Sequence, residues 1–306
     1  MSCRGGYLAG WRAWELGMTI ILEVTVAGPG AGRLFAPIGL MTPHLRPEVF
    51  VLEGAGYYLA AEAGTGQWVA VLEGVTGPVR FCTSFASGGE AYPEALFVHR
   101  PNRFTAAAEG LIGAARATAQ AAGGGQAGLR AIVNDVAAQF SYGHPEQRFY
   151  DGEDSIPALC GLTEGSCVDI NTYLIASLRA AGYEAGYVTG YFFPEEKRGR
   201  CDDMHCWVVT RHDGAVQEWD IAHHLKLGLG EIAPGLNPKP GVRVPVAHSM
   251  GLDIPALGLT GLKLLSQPMW LAPDGTAHWA EVEIALRGYD VLAALGGTGP
   301  ERPAGG

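Results

Sequence analysis

The sequence predicts a mixed fold of helices and mainly antiparallel strands. Short β-favouring runs separated by Gly and Pro fill residues 19–100, and Ala-rich helical segments follow them. After residue 183 a second group of β-favouring runs begins. Runs of strands followed by helices indicate separate layers rather than a regular strand–helix alternation.

Composition limits the classes of function. The chain has 306 residues, of which 48% are apolar, so it can bury a sizeable core in one large or two modest domains. A net charge of -10 disfavours nucleic acid and anionic membranes as partners. Six cysteines are too few for a disulfide scaffold, and no apolar window approaches the ~18 residues of a membrane span. The first residues show no secretion signal, so we expect a cytoplasmic protein with reduced thiols.

The N-terminal part is predicted to form an antiparallel β domain over residues 19–100, preceded by a loose extension at 1–18. Its strands are expected in TIILEVTVA, EVFVLEG, YYLAAEA, QWVAVLEG and VRFCTSFAS. Titratable residues are not concentrated at ligand spacing here. We therefore interpret His44, Cys82 and His99 as structural, and the role of this domain stays open.

A catalytic domain is predicted over residues 101–290. It opens with an Ala-rich helix, which Gly123–Gly125 end. In the next helix an apolar stripe recurs at spacings of three and four residues and faces a core; its members are Leu129, Ile132, Val133, Val136 and Phe140. A polar loop then leads the chain to Ser166.

The segment from Gly165 to Asp220 carries the residues that are able to take part in catalysis. Ser166 is a good N-cap, so Cys167 lies in the first turn of a helix whose apolar stripe includes Ile170 and Leu174. Unpaired N–H groups and the helix dipole at that position favour a thiolate. Gly182 ends this helix, and a strand rich in aromatic residues follows it.

A hairpin is predicted to bring His205 next to Asp220. A two-residue turn at Asp213-Gly214 would pair His212 with Ala215 and put His205 diagonal to Asp220. A four-residue turn would instead put His205 and Asp220 directly opposite each other. In both registers the two side chains share one face of the sheet, because side chains alternate with a period of two.

Cys167, His205 and Asp220 together predict a thiol-based catalytic triad. His205 would form an ion pair with the Cys167 thiolate, and Asp220 would orient the imidazole. The Cys167 backbone N–H is a candidate oxyanion donor. The second oxyanion donor stays open between Gln139 and Tyr142.

The C-terminal part is less regular. Residues 222–265 form a long Gly- and Pro-rich excursion, for which a lid, a substrate wall and simple elaboration all stay open. A last hairpin is expected at PMWL, with its turn at APDG, and residues 291–306 are expected to be a flexible tail.

An ordered set of motifs resembles the transglutaminase-like superfamily of cysteine enzymes over residues 129–222. These are Gly165-Ser166-Cys167, Arg179-Ala180-Ala181-Gly182, Gly190-Tyr191, His205-Cys206-Trp207 and Trp219-Asp220, preceded by Phe140-Ser141-Tyr142. The resemblance implies an α+β fold with a papain-like core, in which the helix that carries Cys167 packs on an antiparallel sheet. It also implies acyl chemistry through a thioester. Cys206 and the Ile-Ala-His-His that follows Asp220 depart from the usual pattern.

The resemblance implies a peptide, protein or other amide as the substrate, with Ser166, Tyr191, Trp207 and His223 as further candidates around it. We expect amide hydrolysis of the peptidase or amidase kind. Acyl transfer to an amine and a catalytically silent peptide-binding module are the alternatives. We expect no cofactor and no metal, and the substrate's identity and the oligomeric state stay open.

A structural zinc site is another class of function to consider for this sequence. Its ligands would come from His205 and four cysteines, which are Cys160, Cys167, Cys201 and Cys206. The spacings of these cysteines do not match a zinc knuckle, and Cys206 should point away from His205 on a strand.

Overall fold

The computed structural model describes residues 20–235 and 238–295. The predicted extension at 1–18 and most of the predicted tail lie outside these residues, while the start of the tail belongs to a short helix that ends at Ala294. No helix in the described part of the chain has the length and apolar character to cross a membrane.

Strands dominate the fold, with six α-helices among the described residues. The strands are β1 Ile20–Val26, β2 Arg33–Pro37, β3 Leu45–Glu53, β4 Tyr58–Ala61, β5 Trp68–Leu72, β6 Val79–Ser87, β7 Phe140–Tyr142, β8 Thr163–Gly165, β9 Glu184–Pro194, β10 Arg200–Cys201, β11 Met204–His212, β12 Ala215–Trp219, β13 Gly241–His248, β14 Leu252–Ile254, β15 Leu259–Leu262, β16 Met269–Leu271, β17 Ala277–Trp279 and β18 Val282–Arg287. The helices are α1 Glu94–Phe97, α2 Glu109–Ala121, α3 Gly125–Ala138, α4 Cys167–Ala180, α5 Ile221–Lys226 and α6 Tyr289–Ala294.

A four-stranded antiparallel sheet in the order β12-β11-β9-β13 forms the centre of the molecule. Helix α4 packs against β9 and β11, and α2 and α3 pack against α4. Leu129, Ile132, Val133 and Val136 of the predicted stripe are buried on α3, as a 3.6-residue period requires, while Phe140 lies beyond the helix at the start of β7. The predicted α+β class, with the cysteine helix on an antiparallel sheet, is confirmed.

The register of the hairpin between β11 and β12 follows from its turn. His212 pairs with Ala215, and the two turn residues Asp213 and Gly214 have φ values of 50° and 75°. Two successive left-handed residues match the twist of the strands, and Asp-Gly is a preferred pair for them. The two-residue turn is therefore the correct one of the two predicted alternatives. The predicted last hairpin is also present, between β16 and β17.

Two five-stranded sheets draw strands from both ends of the described chain. In one, the order is β10-β18-β1-β6-β3, and in the other it is β17-β16-β2-β5-β4. The predicted N-terminal β unit is thus present, and strands from beyond residue 265 complete both of its sheets. The boundaries at residues 100 and 290 stay predictions.

The long strand β9 connects two hydrophobic cores. On the face that carries Tyr187, β9 packs with α4 in the first core. Further along the same face, Tyr191 and Phe193 pack with β1 and β6 in the second core. The opposite face of β9 carries Gly190 and Phe192, and His205 and Arg243 of the neighbouring strands share this face.

Candidate active site

Cys167 is fixed by the start of α4. The backbone N–H of Ser166 donates to Asp169 Oδ2 at 2.9 Å, and the Ser166 hydroxyl donates to the same oxygen at 2.6 Å. Asp169 is buried and also lies 3.3 Å from Arg148 Nε. These bonds hold the first turn rigidly, so the Cys167 thiol, which is 6% exposed, lies where the first N–H groups of the helix have no intrahelical acceptor.

The surroundings of Cys167 favour its thiolate. A hydrogen bond from Cys206 lowers the pKa of Cys167, burial opposes this, and a hydrogen bond and positive charge from His205 lower the pKa further. The net result is a pKa well below the usual value for a thiol. Burial raises the pKa of Cys206 well above its usual value, so Cys206 stays protonated and is the donor of this pair.

His205 and Asp220 form the contact predicted from the hairpin. His205 Nε2 lies 3.0 Å from Asp220 Oδ2, and the carboxylate is fully buried. Since Nε2–H donates a hydrogen bond to the carboxylate, the Nδ1 nitrogen of His205 is the one available to the thiol. Burial lowers the pKa of His205, but the charge and the hydrogen bond of Asp220 raise it, and the net shift is upward.

Two more side chains converge on the same carboxylate. Arg243 Nη2 donates to Asp220 Oδ2, and His223 Nδ1 lies 2.8 Å from that oxygen. The backbone N–H of His223 donates to Asp220 Oδ1 at 3.1 Å, because Asp220 is the N-cap of α5. Asp220 is thus held on both oxygens.

His223 stacks on His205, with ring centroids 4.3 Å apart and planes inclined by 9°. Burial and the charge of His205 lower the pKa of His223 to about 3, so its ring is neutral at ordinary pH. Its contact with Asp220 is therefore a hydrogen bond rather than an ion pair. The ring covers one face of the His205 imidazole and restricts its orientation.

The charge of Asp220 is secured chiefly by Arg243. Burial would raise the pKa of Asp220, but the guanidinium of Arg243, followed by His205, lowers it well below its usual value. The carboxylate therefore stays ionised throughout the neutral range, as a group that orients and stabilises an imidazolium must be.

The other residues predicted around the substrate divide into two groups. Trp207 shares the sheet face of His205, and His223 stacks on His205. Tyr142 pairs with Gly165, two residues before Cys167, and burial followed by the charge of Cys167 raises its pKa. The Tyr142 ring also contacts Lys226 of α5, whose Nζ lies 4.1 Å from its centroid. Tyr142 is thus the one of the two predicted oxyanion candidates that lies close to Cys167.

Gln139, Ser166 and Tyr191 are engaged elsewhere. The Gln139 amide donates to Asp135 Oδ2 at 2.9 Å and accepts from Tyr173 at 3.1 Å. The Ser166 hydroxyl belongs to the helix cap. Tyr191 is next to Gly190, whose partner is His205, so strand alternation turns Tyr191 to the opposite face and into the second core.

Sequence reasoning missed Arg243 and Asn171. Arg243 is a single charge in the apolar run VRVPV, and an isolated charge in a buried strand is a signal for a buried partner. Asn171 lies one helical turn after Cys167, and its Nδ2 lies 3.0 Å from Cys206 O and 3.4 Å from Cys206 Sγ. This contact shows that the Cys167 face of α4 rests on Cys206.

His205, Asp220 and His223 offer ligand atoms within 4.8 Å of one another, and they are the one cluster of this kind in the described part of the chain. They do not suit a metal ion, because the guanidinium of Arg243 binds the same carboxylate oxygen and would repel a cation. Cys201, from the rejected zinc set, lies in the second core.

Comparison with known proteins agrees with this geometry. Residues 112–219 match the sequence profile of the transglutaminase-like superfamily. No curated protein matches the chain significantly in sequence.

Three solved structures are similar to the chain at low sequence identity. One is a proposed cysteine protease from Cytophaga hutchinsonii, with a TM-score of 0.48, 13% identity and coverage of 88% of this chain and 97% of that chain. Another is the periplasmic domain of TgpA from Pseudomonas aeruginosa, with a TM-score of 0.35, 14% identity and coverage of 70% and 93%. A proposed protease from Parabacteroides distasonis has a TM-score of 0.28, 13% identity and coverage of 65% and 42%. The match over residues 112–219 thus supports cysteine-based acyl chemistry of the transglutaminase-like kind in general.

Proposed function

We propose that this protein hydrolyses amide bonds in peptides or related amides through a thioester on Cys167. The observation that supports this most strongly is the 3.0 Å contact between His205 Nε2 and the buried carboxylate of Asp220, next to a thiol whose pKa is lowered. A buried thiol with no catalytic task would have a raised pKa, as Cys82 has, because burial disfavours the thiolate.

In the first half of the proposed reaction, the Cys167 thiolate attacks the carbonyl carbon of the amide. The oxygen of the tetrahedral intermediate carries the negative charge, and the backbone N–H of Cys167 is a donor for it. His205 then gives its proton to the leaving nitrogen as the C–N bond breaks. The products of this half are a free amine and an acyl group bound to sulfur as a thioester.

In the second half, water attacks the thioester carbonyl while His205 takes a proton from the water. The C–S bond breaks, the acid leaves, and the thiolate and the imidazolium are restored. Asp220 does not gain a proton in either half, since Arg243 and His205 keep its pKa low.

Hydrolysis is favoured over transfer to an amine by the enclosure of the site. The exposed fractions of Cys167 and His205 are 6% and 5%, respectively. Water reaches such a thioester more readily than the long lysine side chain of a second folded protein does.

Selective alkylation tests the activated thiol. Iodoacetamide at pH 6 is expected to label Cys167 ahead of the exposed Cys160, because an ordinary thiol with a pKa of ~8.5 loses reactivity about tenfold for each pH unit below it. Cys160 is the internal control for access, and His205→Ala is expected to slow the labelling of Cys167 alone. Labelling of Cys160 ahead of Cys167 at pH 6 would refute the proposal.

A peptide panel tests the acyl chemistry. Mass spectrometry should detect an acyl adduct on Cys167 with at least one amide substrate, and Cys167→Ala should abolish it. Added primary amine distinguishes the two outcomes: release of the free acid in its presence indicates a hydrolase, while release of the amide indicates a transferase. If the thiol is activated but no adduct forms with any member of a broad panel, the chain is a binding module.

A further inference from the structure

We propose that Arg243 is a positioning residue of this site, which holds Asp220 charged and in place behind His205 and so fixes the pH range in which the thiolate–imidazolium pair exists. This inference rests on the proposed function. It assigns a fourth member to the predicted triad, one that acts through the carboxylate of Asp220.

The contacts of Arg243 are specific. Its Nη2 donates to Asp220 Oδ2 and lies 3.2 Å from His223 Nδ1. Its guanidinium carbon lies 5.0 Å from the centroid of the Trp207 ring and 5.5 Å from that of Phe192. The side chain is 2% exposed. A buried cation that contacts two aromatic rings and binds one carboxylate has little freedom to move.

The fold brings Arg243 across a strand to reach this carboxylate. Arg243 lies on β13 and pairs with Phe192 of β9, while His205 lies on β11 on the other side of β9 and pairs with Gly190. All four residues face the same side of the sheet. Gly190 has no side chain to block the path, and a Cβ at this position would lie 2.2 Å from Val244 O and 3.0 Å from the Trp207 ring.

Other ionisable groups around the site do not replace Arg243. Cys167 and Cys206 carry no positive charge, the ring of His223 is neutral, and His224 Nδ1 donates to the backbone oxygen of Asp220. Burial raises the pKa of Tyr142, so its hydroxyl is uncharged, and Asp203 is an acid and cannot supply a cation. Lys239 lies over the Phe192 ring at 5.9 Å but is paired with Glu196. Among these groups, Arg243 is the cation bound to the triad carboxylate.

Removal of this positive charge should raise the pKa of both Cys167 and His205. Without Arg243 the site is one unit more negative, so loss of a proton from Cys167 and loss of a proton from His205 both become harder. In Arg243→Met we therefore expect the pH at which Cys167 becomes reactive to rise by about one unit or more. A residue that only packed against its neighbours would change stability and leave this pH unchanged.

The test is the rate of iodoacetamide labelling of Cys167 as a function of pH in the wild type, Arg243→Met and Arg243→Lys. Lysine keeps the positive charge but lacks the planar guanidinium group, so the midpoint of the pH dependence of labelling in Arg243→Lys should return toward the wild-type value. A midpoint in folded Arg243→Met that coincides with the wild-type midpoint overturns the inference. If the wild type shows no selective labelling of Cys167, the proposed function fails instead, which is a distinct result.

A second measurement covers the case in which Arg243→Met does not fold. Asp220→Asn leaves the guanidinium buried without its anion, whereas Asp220→Asn/Arg243→Met removes both charges. The double variant is expected to melt at a higher temperature than Asp220→Asn alone. If it melts at the same or a lower temperature, Arg243 does not act through Asp220 and the inference is overturned.

Discussion

The substitution Cys206→Ala should raise the pKa of Cys167 by about one unit. Cys206 is fully buried and donates a hydrogen bond to the Cys167 thiolate, the largest influence on that pKa. Hydrogen bonds to charged groups contribute ~1.5–3 kcal/mol, and a thiol is a weak donor, so the lower end applies. Since ~1.4 kcal/mol corresponds to one pKa unit, loss of this bond gives a rise of about one unit.

The assay is the pH dependence of iodoacetamide labelling at Cys167, followed by mass spectrometry of the peptide that contains it. Cys82→Ala is the matched control, because Cys82 is also a buried thiol but lies on β6, opposite Glu23 of β1. Both variants should lose about 1 kcal/mol of stability from the removed sulfur. Cys206→Ser, which restores a donor, should return the midpoint toward that of the wild type. A Cys206→Ala midpoint equal to the Cys82→Ala midpoint would refute the role assigned to Cys206.

Two further predictions concern stability. Gly190→Ala should lower the free energy of unfolding by about 1–3 kcal/mol and slow Cys167 labelling, because the added Cβ meets the backbone of β13. The control Gly113→Ala, at an open position in α2, should raise the free energy of unfolding by about 0.5–1 kcal/mol. Equal effects of the two variants in urea denaturation would contradict this account of Gly190. Burial, followed by the charge of Arg100, lowers the pKa of His248 in the folded protein to about 4. As the pH drops from ~6.5 to ~4, the unfolded state therefore binds a proton at His248 that the folded state does not bind, and stability falls. His248→Leu should therefore make stability less dependent on pH in this window by about 1.4 kcal/mol per unit, and an unchanged slope between pH 6.5 and 4 would exclude His248 as the source.

The part of the site that the sequence could predict is local. Ser166 and Asp169 lie within one turn of Cys167, so capping chemistry is sufficient to locate the start of α4. The pair His205–Asp220 follows from one two-residue turn and the period of the strands. Both predictions depend on residues that are close together in the chain.

The part that the sequence could not predict depends on strand pairing over long separations. Arg243 reaches Asp220 only because β13 pairs with β9, and no local pattern determines that pairing. The misplacement of Tyr191 is different, since alternation from His205 through its partner Gly190 could have excluded it once the order of the strands was known. The completion of the N-terminal sheets by β16, β17 and β18 was likewise not encoded in any local signal.

The pairing of β1 with both β6 and β18 has a consequence for synthesis. Ile21 pairs with Arg287 and Ser84, so the central strand of this sheet has one partner from its own end of the described chain and one from the other end. During translation β1 and β6 can associate early, yet the edge of β1 that β18 covers stays open until β18 leaves the ribosome. A stalled or truncated chain would expose that edge, which makes the nascent protein a client for chaperones and a target for proteases.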